Sequence, residues 1–256
     1  MSGQFLIKSS DPILLEKATR VAQEFARQYM REKVVGIVFL GAIVRGYFDQ
    51  SADIDIAIFK KQGSEIALAG KYLEVEGLEI HRHLADYEVE LAASWDMAKR
   101  WTFSEGQVWY DPQGKISKLL AEKVPLKAPE KRRLLMEGLA LSDWYANRLA
   151  RLWVERGDMV SAHHMFAQGL DYFFEMLFAL NDQLVADAKW RYYCVSKLAV
   201  LPPRFLDLVK ETMTLHAFSV EEIARRQTAF MEMWREMAPV VEHEVQMSYD
   251  EIRRIV

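Results

Sequence analysis

Residues 34–59 read VVGIVFLGAIVRGYFDQSADIDIAIF. An apolar, β-branched run ends at Gly41, a stretch with glycine and polar residues follows, and a second run alternates Asp53 and Asp55 with Ile54, Ile56 and Ile58. Short runs of this kind, bounded by turn residues, predict strands, and the first is apolar enough to be buried on both faces. In the second, Ile54, Ile56 and Ile58 share the core face while Asp53, Asp55 and Ala57 point the other way. The two carboxylates then stand roughly 6 to 7 Å apart at Cα. Charged carboxylates resist burial unless a cation or hydrogen bonds hold them. Mg²⁺ answers that need, because it takes carboxylate, water and phosphate oxygens in octahedral geometry. Between the strands, Gly41-Ala42 and Arg45-Gly46 let backbone N–H groups approach a polyphosphate without side-chain obstruction. The pattern points to phosphate transfer.

Outward from this stretch, the chain changes grammar. Nine of its twelve glycines lie at or before Gly114, and the segment EKVPLKAPEKRR, with Pro125 and Pro129, reads as the hinge. Upstream, Asp11 and Pro12 start a helix whose stripe is Leu14, Leu15, Ala18, Val21, Ala22, Phe25 and Tyr29. Downstream, Leu73–Leu84 reads as a third strand with a bulge at Gly77, followed by a helix from about Tyr87 to Trp101 and a turn at Asp-Pro-Gln-Gly. The second half reads as helices near 129–156, 159–181, 187–199, 203–215 and 219–243, with Gly157-Asp158 between the first two and Pro239 kinking or ending the last. Leu141, Trp144, Leu152, Phe166, Tyr172, Phe173 and Leu177 form the expected buried stripes. The fold expected is α+β: an α/β domain with a mixed sheet over residues 1–125, then an all-α bundle over 126–256.

The motif GAIVRGYFDQSADIDIAIF resembles the signature of the DNA polymerase beta-like nucleotidyltransferase superfamily, in which a strand runs into Gly-Ser, Arg-Gly follows, and a further strand carries Asp-x-Asp. Length and the helical second half look most similar to the antibiotic nucleotidyltransferases of the kanamycin, lincosamide and streptomycin types. The resemblance implies that Gly41 and Ala42 grip a triphosphate and that Asp53 and Asp55 bind Mg²⁺, with two ions engaged. It also implies a third carboxylate on an adjacent strand, for which Glu79 in GLEIH is the best match, with Glu74 and Glu76 as rivals in another register. The reaction implied is displacement at the α-phosphorus of ATP by a hydroxyl on a small molecule or a macromolecule. Helices 126–256 would then bind the acceptor. Two positions depart from the pattern: Ala42 and Ala52 stand where serines are usual. Losing the first hydroxyl removes one neutral hydrogen bond, about 0.5 to 1.5 kcal/mol.

Several residues carry two readings. Arg45, beside Gly46, is either a phosphate clamp or one half of a surface ion pair. His81 and His83 share the face of Glu79, but residues four apart on a strand lie roughly 13 Å apart. A zinc site built from all three is disfavoured, and structural or substrate contacts are preferred. Lys197 looks similar to a nucleotide-contacting lysine of the streptomycin-type enzymes, or is simply solvated. Arg156 and His163 faintly match the Arg-x(4-6)-His pattern of HEPN ribonucleases. Glu88, Glu90, Glu105 and Glu137 are all open as a general base, and Trp144, Tyr145, Trp190, Tyr192 and Tyr193 as pocket aromatics. A non-catalytic nucleotide-binding regulatory module is the alternative, motivated by Ala42.

Bulk properties narrow the classes. A formal charge of -4 over 256 residues gives no general basic field, so nucleic acid is not indicated as a partner, although a local basic patch stays open. Cys194 is the single cysteine, which excludes an internal disulfide and a cysteine-rich zinc knuckle. No window reaches the roughly twenty apolar residues of a membrane span. MSGQFLIKSSDPILLEKATR holds only a three-residue apolar run, so neither a signal peptide nor a membrane partner is expected, and the cytoplasm is the expected location. Acceptor, base preference and oligomeric state, homodimer included, stay open.

Overall fold

The structure is a computed structural model that describes residues 10–66 and 72–256. The apolar run at residues 5–7 lies outside the described residues. Two compact units divide the described chain, with the boundary in sequence between Pro125 and Leu126.

In the first unit, the Asp11 carboxylate accepts from the N–H groups of Ile13 and Leu14 and so caps α1 (Pro12–Arg27). A five-stranded sheet follows in the order β3-β4-β2-β1-β5, formed by β1 (Val34–Leu40), β2 (Ile54–Lys60), β3 (Tyr72–Val75), β4 (Leu78–Asp86) and β5 (Gln107–Tyr110). β2 and β4 pair parallel and the other neighbours antiparallel, so the sheet is mixed. Both faces are covered. Ile37, Phe39, Ile54, Ile56, Ile58 and Ile80 pack with Val21, Ala22 and Phe25 of α1. On the other face Val38, Leu40, Ala57 and Phe59 pack with Tyr87 of α2 (Tyr87–Ala92), Phe103 of α3 (Met97–Ser104), Trp95 between those helices, and Ile116 and Leu119 of α4 (Lys115–Lys123). The face that carries the aspartates is therefore closed from Ala57 onward and opens at Asp55 and Asp53.

Two segments differ from the sequence reading. Leu73–Leu84 is a hairpin rather than one bulged strand, because Glu76 (φ 53°) and Gly77 (φ 74°) both take the left-handed conformation of a two-residue turn. The hairpin sends Leu73, Val75, Leu78 and Ile80 together toward the α1 side. The helix expected from Tyr87 to Trp101 is broken between α2 and α3. The Asp96 carboxylate accepts from the Lys99 N–H at 2.8 Å and starts a new helix there.

The second unit is helical. A single run comprises α5 (Ala128–Asp143), a π-helical stretch (Trp144–Leu149) and α6 (Ala150–Glu155), then come α7 (Met159–Leu180), α8 (Arg191–Val195), α9 (Phe205–Met213), α10 (Val220–Val245) and α11 (Tyr249–Ile255). Phe166 and Phe173 of α7 meet Phe230 of α10 edge to face. α7 comes close enough to the π stretch that a Cβ on Gly169 would lie 2.5 Å from the Ala146 nitrogen. Pro239 lies inside α10, which continues through it to Val245. The helix expected over 187–199 is only the short α8. Trp144, expected in a buried stripe, is 46% exposed, because it falls off the stripe through which α5 buries Leu135, Leu139 and Ser142.

Candidate metal centre

Strand register assembles the site. In the parallel pair, Asp55 of β2 stands opposite His81 of β4, and Ala57 opposite His83. In the hairpin, Tyr72 faces His81 and Glu74 faces Glu79. Alternate residues share a face, so acids and imidazoles from three strands come to one surface. Asp53, Asp55 and His81 each present an atom within 4.8 Å of the others. His81 Nδ1 lies 3.0 Å from Asp53 Oδ2 and 3.8 Å from Asp55 Oδ1, while its Nε2 lies 2.8 Å from Glu79 Oε1. His83 Nε2 lies 3.2 Å from Asp55 Oδ1. The Tyr72 ring meets the His81 ring edge-on, centroids 4.4 Å apart. Beside the cluster, Gln50, Ser51, Asp53, Tyr72, Glu74 and Glu79 line an open groove of about 640 Å³.

The turn after β1 fits closely against this cluster. Gly41 adopts φ 66°, and a Cβ there would lie 2.4 Å from Asp55 Oδ2. Only a residue without a side chain combines that backbone conformation with so close a carboxylate. The Ala42 methyl is buried in the core shared with α1, and Gly46 is left-handed with open space around it. Arg45 is engaged elsewhere: its guanidinium stacks 3.9 Å from the Trp101 ring centroid, donates to the Trp101 carbonyl at 3.0 Å and pairs with Glu105 at 3.3 Å.

The structure brings Asp53, Asp55 and His81 together, with Glu79 on the other nitrogen of the imidazole. Of the rivals to Glu79, Glu76 pairs with Arg20 at 2.6 Å, whose hydrogen bond holds the carboxyl below its usual range. The open general-base candidates are each engaged. Glu88 accepts from the Gln62 N–H, Glu90 pairs with Lys99, Glu105 with Arg45, and Glu137 with Arg133. Lys197, in the helical unit, is exposed with its ammonium 3.6 Å from the Tyr193 ring centroid. There too, His163 is buried and its Nδ1 accepts from Arg226 at 2.5 Å. Burial, then the neighbouring Arg226 charge, push its pKa down. Arg156 stacks on Trp153. Tyr145 lies against Tyr172, Trp190 against Tyr193, and Tyr192 against Phe174.

His81 is the participant for which the sequence reading preferred a structural or substrate contact, having weighed a metal only with Glu79 and His83 as its co-ligands. The alternation in LEIHRH places Glu79, His81 and His83 on one face, but local sequence does not say that Asp55 lies opposite His81. Two carboxylates and an imidazole, converging on one point at the mouth of a groove, are a donor set suited to a divalent cation.

No protein-family model matches the chain, and no curated protein matches it. Among solved structures, the chain is similar to a nucleotidyltransferase-like protein from Exiguobacterium sibiricum, with 14% identity, a TM-score of 0.47, and coverage of 94% of this chain and 80% of that one.

Proposed function

We propose that the protein is a divalent-cation-dependent nucleotidyltransferase that moves a nucleotidyl group, adenylyl from ATP, to a hydroxyl of a small aminoglycoside-like or lincosamide-like molecule or of a macromolecule. The observation that carries this reading is the convergence of Asp53, Asp55 and His81 directly against the backbone of Gly41. Asp53 and Asp55 would hold the cation, with Glu79 acting from the adjacent strand. Mg²⁺ is the ion that the resemblance implies, since a carboxylate pair and a triphosphate offer oxygen donors alone. When bound, such an ion withdraws charge from the reacting phosphate and activates the attacking oxygen.

The chain's own residues supply position. Gly41 and Ala42 can meet phosphate oxygens only through their backbone, because one has no side chain and the other buries its methyl. Arg45 supports the same turn from behind through Trp101 and Glu105. In the reaction, the bond from the acceptor oxygen to the α-phosphorus forms, the bond to pyrophosphate breaks, and the hydroxyl proton passes to a base. Lys197 and residues 126–256 belong, on this reading, to nucleotide and acceptor binding.

Calorimetric titration of ATP with Mg²⁺ or Mn²⁺ should show binding that Asp53→Asn with Asp55→Asn removes. Pyrophosphate release should then appear with one acceptor among aminoglycosides, lincosamides and tRNA. No ATP binding, or binding indifferent to the double substitution, rejects the proposal. The buried Ala42 methyl favours a second reading, a nucleotide-binding regulatory module, and its mark would be ATP binding without pyrophosphate release from any acceptor.

A further inference from the structure

The donor set is not the all-carboxylate one that suits Mg²⁺. We infer that the cluster binds a first-row transition-metal ion, Mn²⁺ or Zn²⁺ in preference to Mg²⁺, through Asp53, Asp55 and Nδ1 of His81. Glu79 acts as the outer partner that orients the imidazole. This rests on reading the cluster as the cation site of nucleotidyl transfer, and it names the class of ion that site selects.

Three observations carry it. First, Nδ1 is the ring atom turned toward both aspartates, at 3.0 Å from Asp53 and 3.8 Å from Asp55. Second, Nε2 lies 2.8 Å from Glu79 Oε1. With Nε2–H donating to that carboxylate, Nδ1 is left with its lone pair pointing at the aspartates. This is the carboxylate–histidine arrangement that fixes the tautomer and raises the basicity of a metal-bound imidazole. Third, Tyr72 packs edge-on against the ring and limits its rotation.

The chemistry of selection follows from the ligands. Mg²⁺ dehydrates reluctantly and takes oxygen donors. Imidazole suits the borderline ions, whose affinity for mixed nitrogen and oxygen sites rises from Mn²⁺ across the first row. An imidazole in place of a third carboxylate also lowers the negative charge offered to a hard cation. Glu79, the best match to the family's third acid, thereby serves the ion through His81 rather than by contact.

The test uses the full chain stripped of metal with a chelator. Titration with MnCl₂ and, separately, MgCl₂ should show tighter binding of Mn²⁺. Pulsed EPR of the Mn²⁺ form should show the nitrogen coupling of a directly bound imidazole, present in wild type and in His83→Ala but absent in His81→Asp. His81→Asp, an all-carboxylate set, should also narrow the preference for Mn²⁺ over Mg²⁺. Glu79→Gln should weaken Mn²⁺ binding about 10- to 100-fold and keep the nitrogen signal. Mn²⁺ bound without nitrogen coupling, or Mg²⁺ bound as tightly as Mn²⁺, overturns the inference and leaves nucleotidyl transfer standing. No divalent ion bound, with Asp53→Asn identical to wild type, overturns both.

Discussion

Gly41 and Gly46 both carry φ values near 70°, yet they answer to different constraints. A side chain at either position costs about 1–2 kcal/mol from the left-handed backbone alone. At Gly46 nothing else stands within 4 Å, so Gly46→Ala should show that cost and leave cation binding unchanged. At Gly41 the added methyl meets the Asp55 carboxylate, so Gly41→Ala should lose more stability and also lose Mn²⁺ binding. Urea denaturation and calorimetry of the two variants check this, and equal behaviour would show that the turn and the acid are uncoupled. Much at this scale was legible in the sequence. Aspartates alternating with isoleucines announced a charged face backed by a core, and Ile54, Ile56 and Ile58 are indeed buried while the aspartates are not. Arg45 was not decidable, because its partners Trp101 and Glu105 lie 56 and 60 residues along the chain.

Between elements, register decides what composition leaves open. Asp55 and His81 meet because β2 and β4 pair parallel, and parallel strands are joined by connections whose length does not set the register locally. The hairpin at Glu76-Gly77 was missed for a related reason: a glycine in an alternating run signals a bulge and a turn alike. The helix stripes were easier, since Phe166, Phe173 and Leu177 recur at the helical period and are buried as that period predicts. One contact between helices has a pH consequence. His163 of α7 accepts from Arg226 of α10, and both burial and that arginine hold its folded pKa below the usual 6.5. An unfolded chain then binds the proton more readily. The contribution is complete above about pH 6.5 and is lost as pH falls toward the depressed folded value. Unfolding free energy should therefore drop between pH 7 and pH 5, by at most about 1.4 kcal/mol per pH unit for this proton. His163→Phe should flatten that part of the profile in urea melts, and an unchanged slope would assign it to other groups.

At the scale of the chain, every atom of the cation cluster comes from residues 53–81, within the unit that ends at Pro125. That unit has apolar packing on both sheet faces, and the helical unit has its own aromatic core. Expressed separately, residues 1–125 and 126–256 should each unfold cooperatively by circular dichroism, and Mn²⁺ should bind only the first. A first fragment that stays unfolded would show that its sheet depends on the helical half. The switch from glycine-rich strands to long helices was visible as composition, because turns and helices use different residues. The role of the helical unit was not, since helical periodicity reports which side is buried and not what an outer surface does.

The π-helical stretch at Trp144–Leu149 makes chain length itself a carrier of information. Such a turn holds one residue more than an α turn, and one residue is about 100° of rotation. Deleting a single amino acid there would let the run close as an ordinary α-helix: Ala150–Glu155 would keep its direction, while the residues between Trp144 and Leu149 would turn to other faces and Gly169 would meet a different neighbour in place of Ala146. Length within this one turn, as much as identity, sets which side chain Gly169 meets.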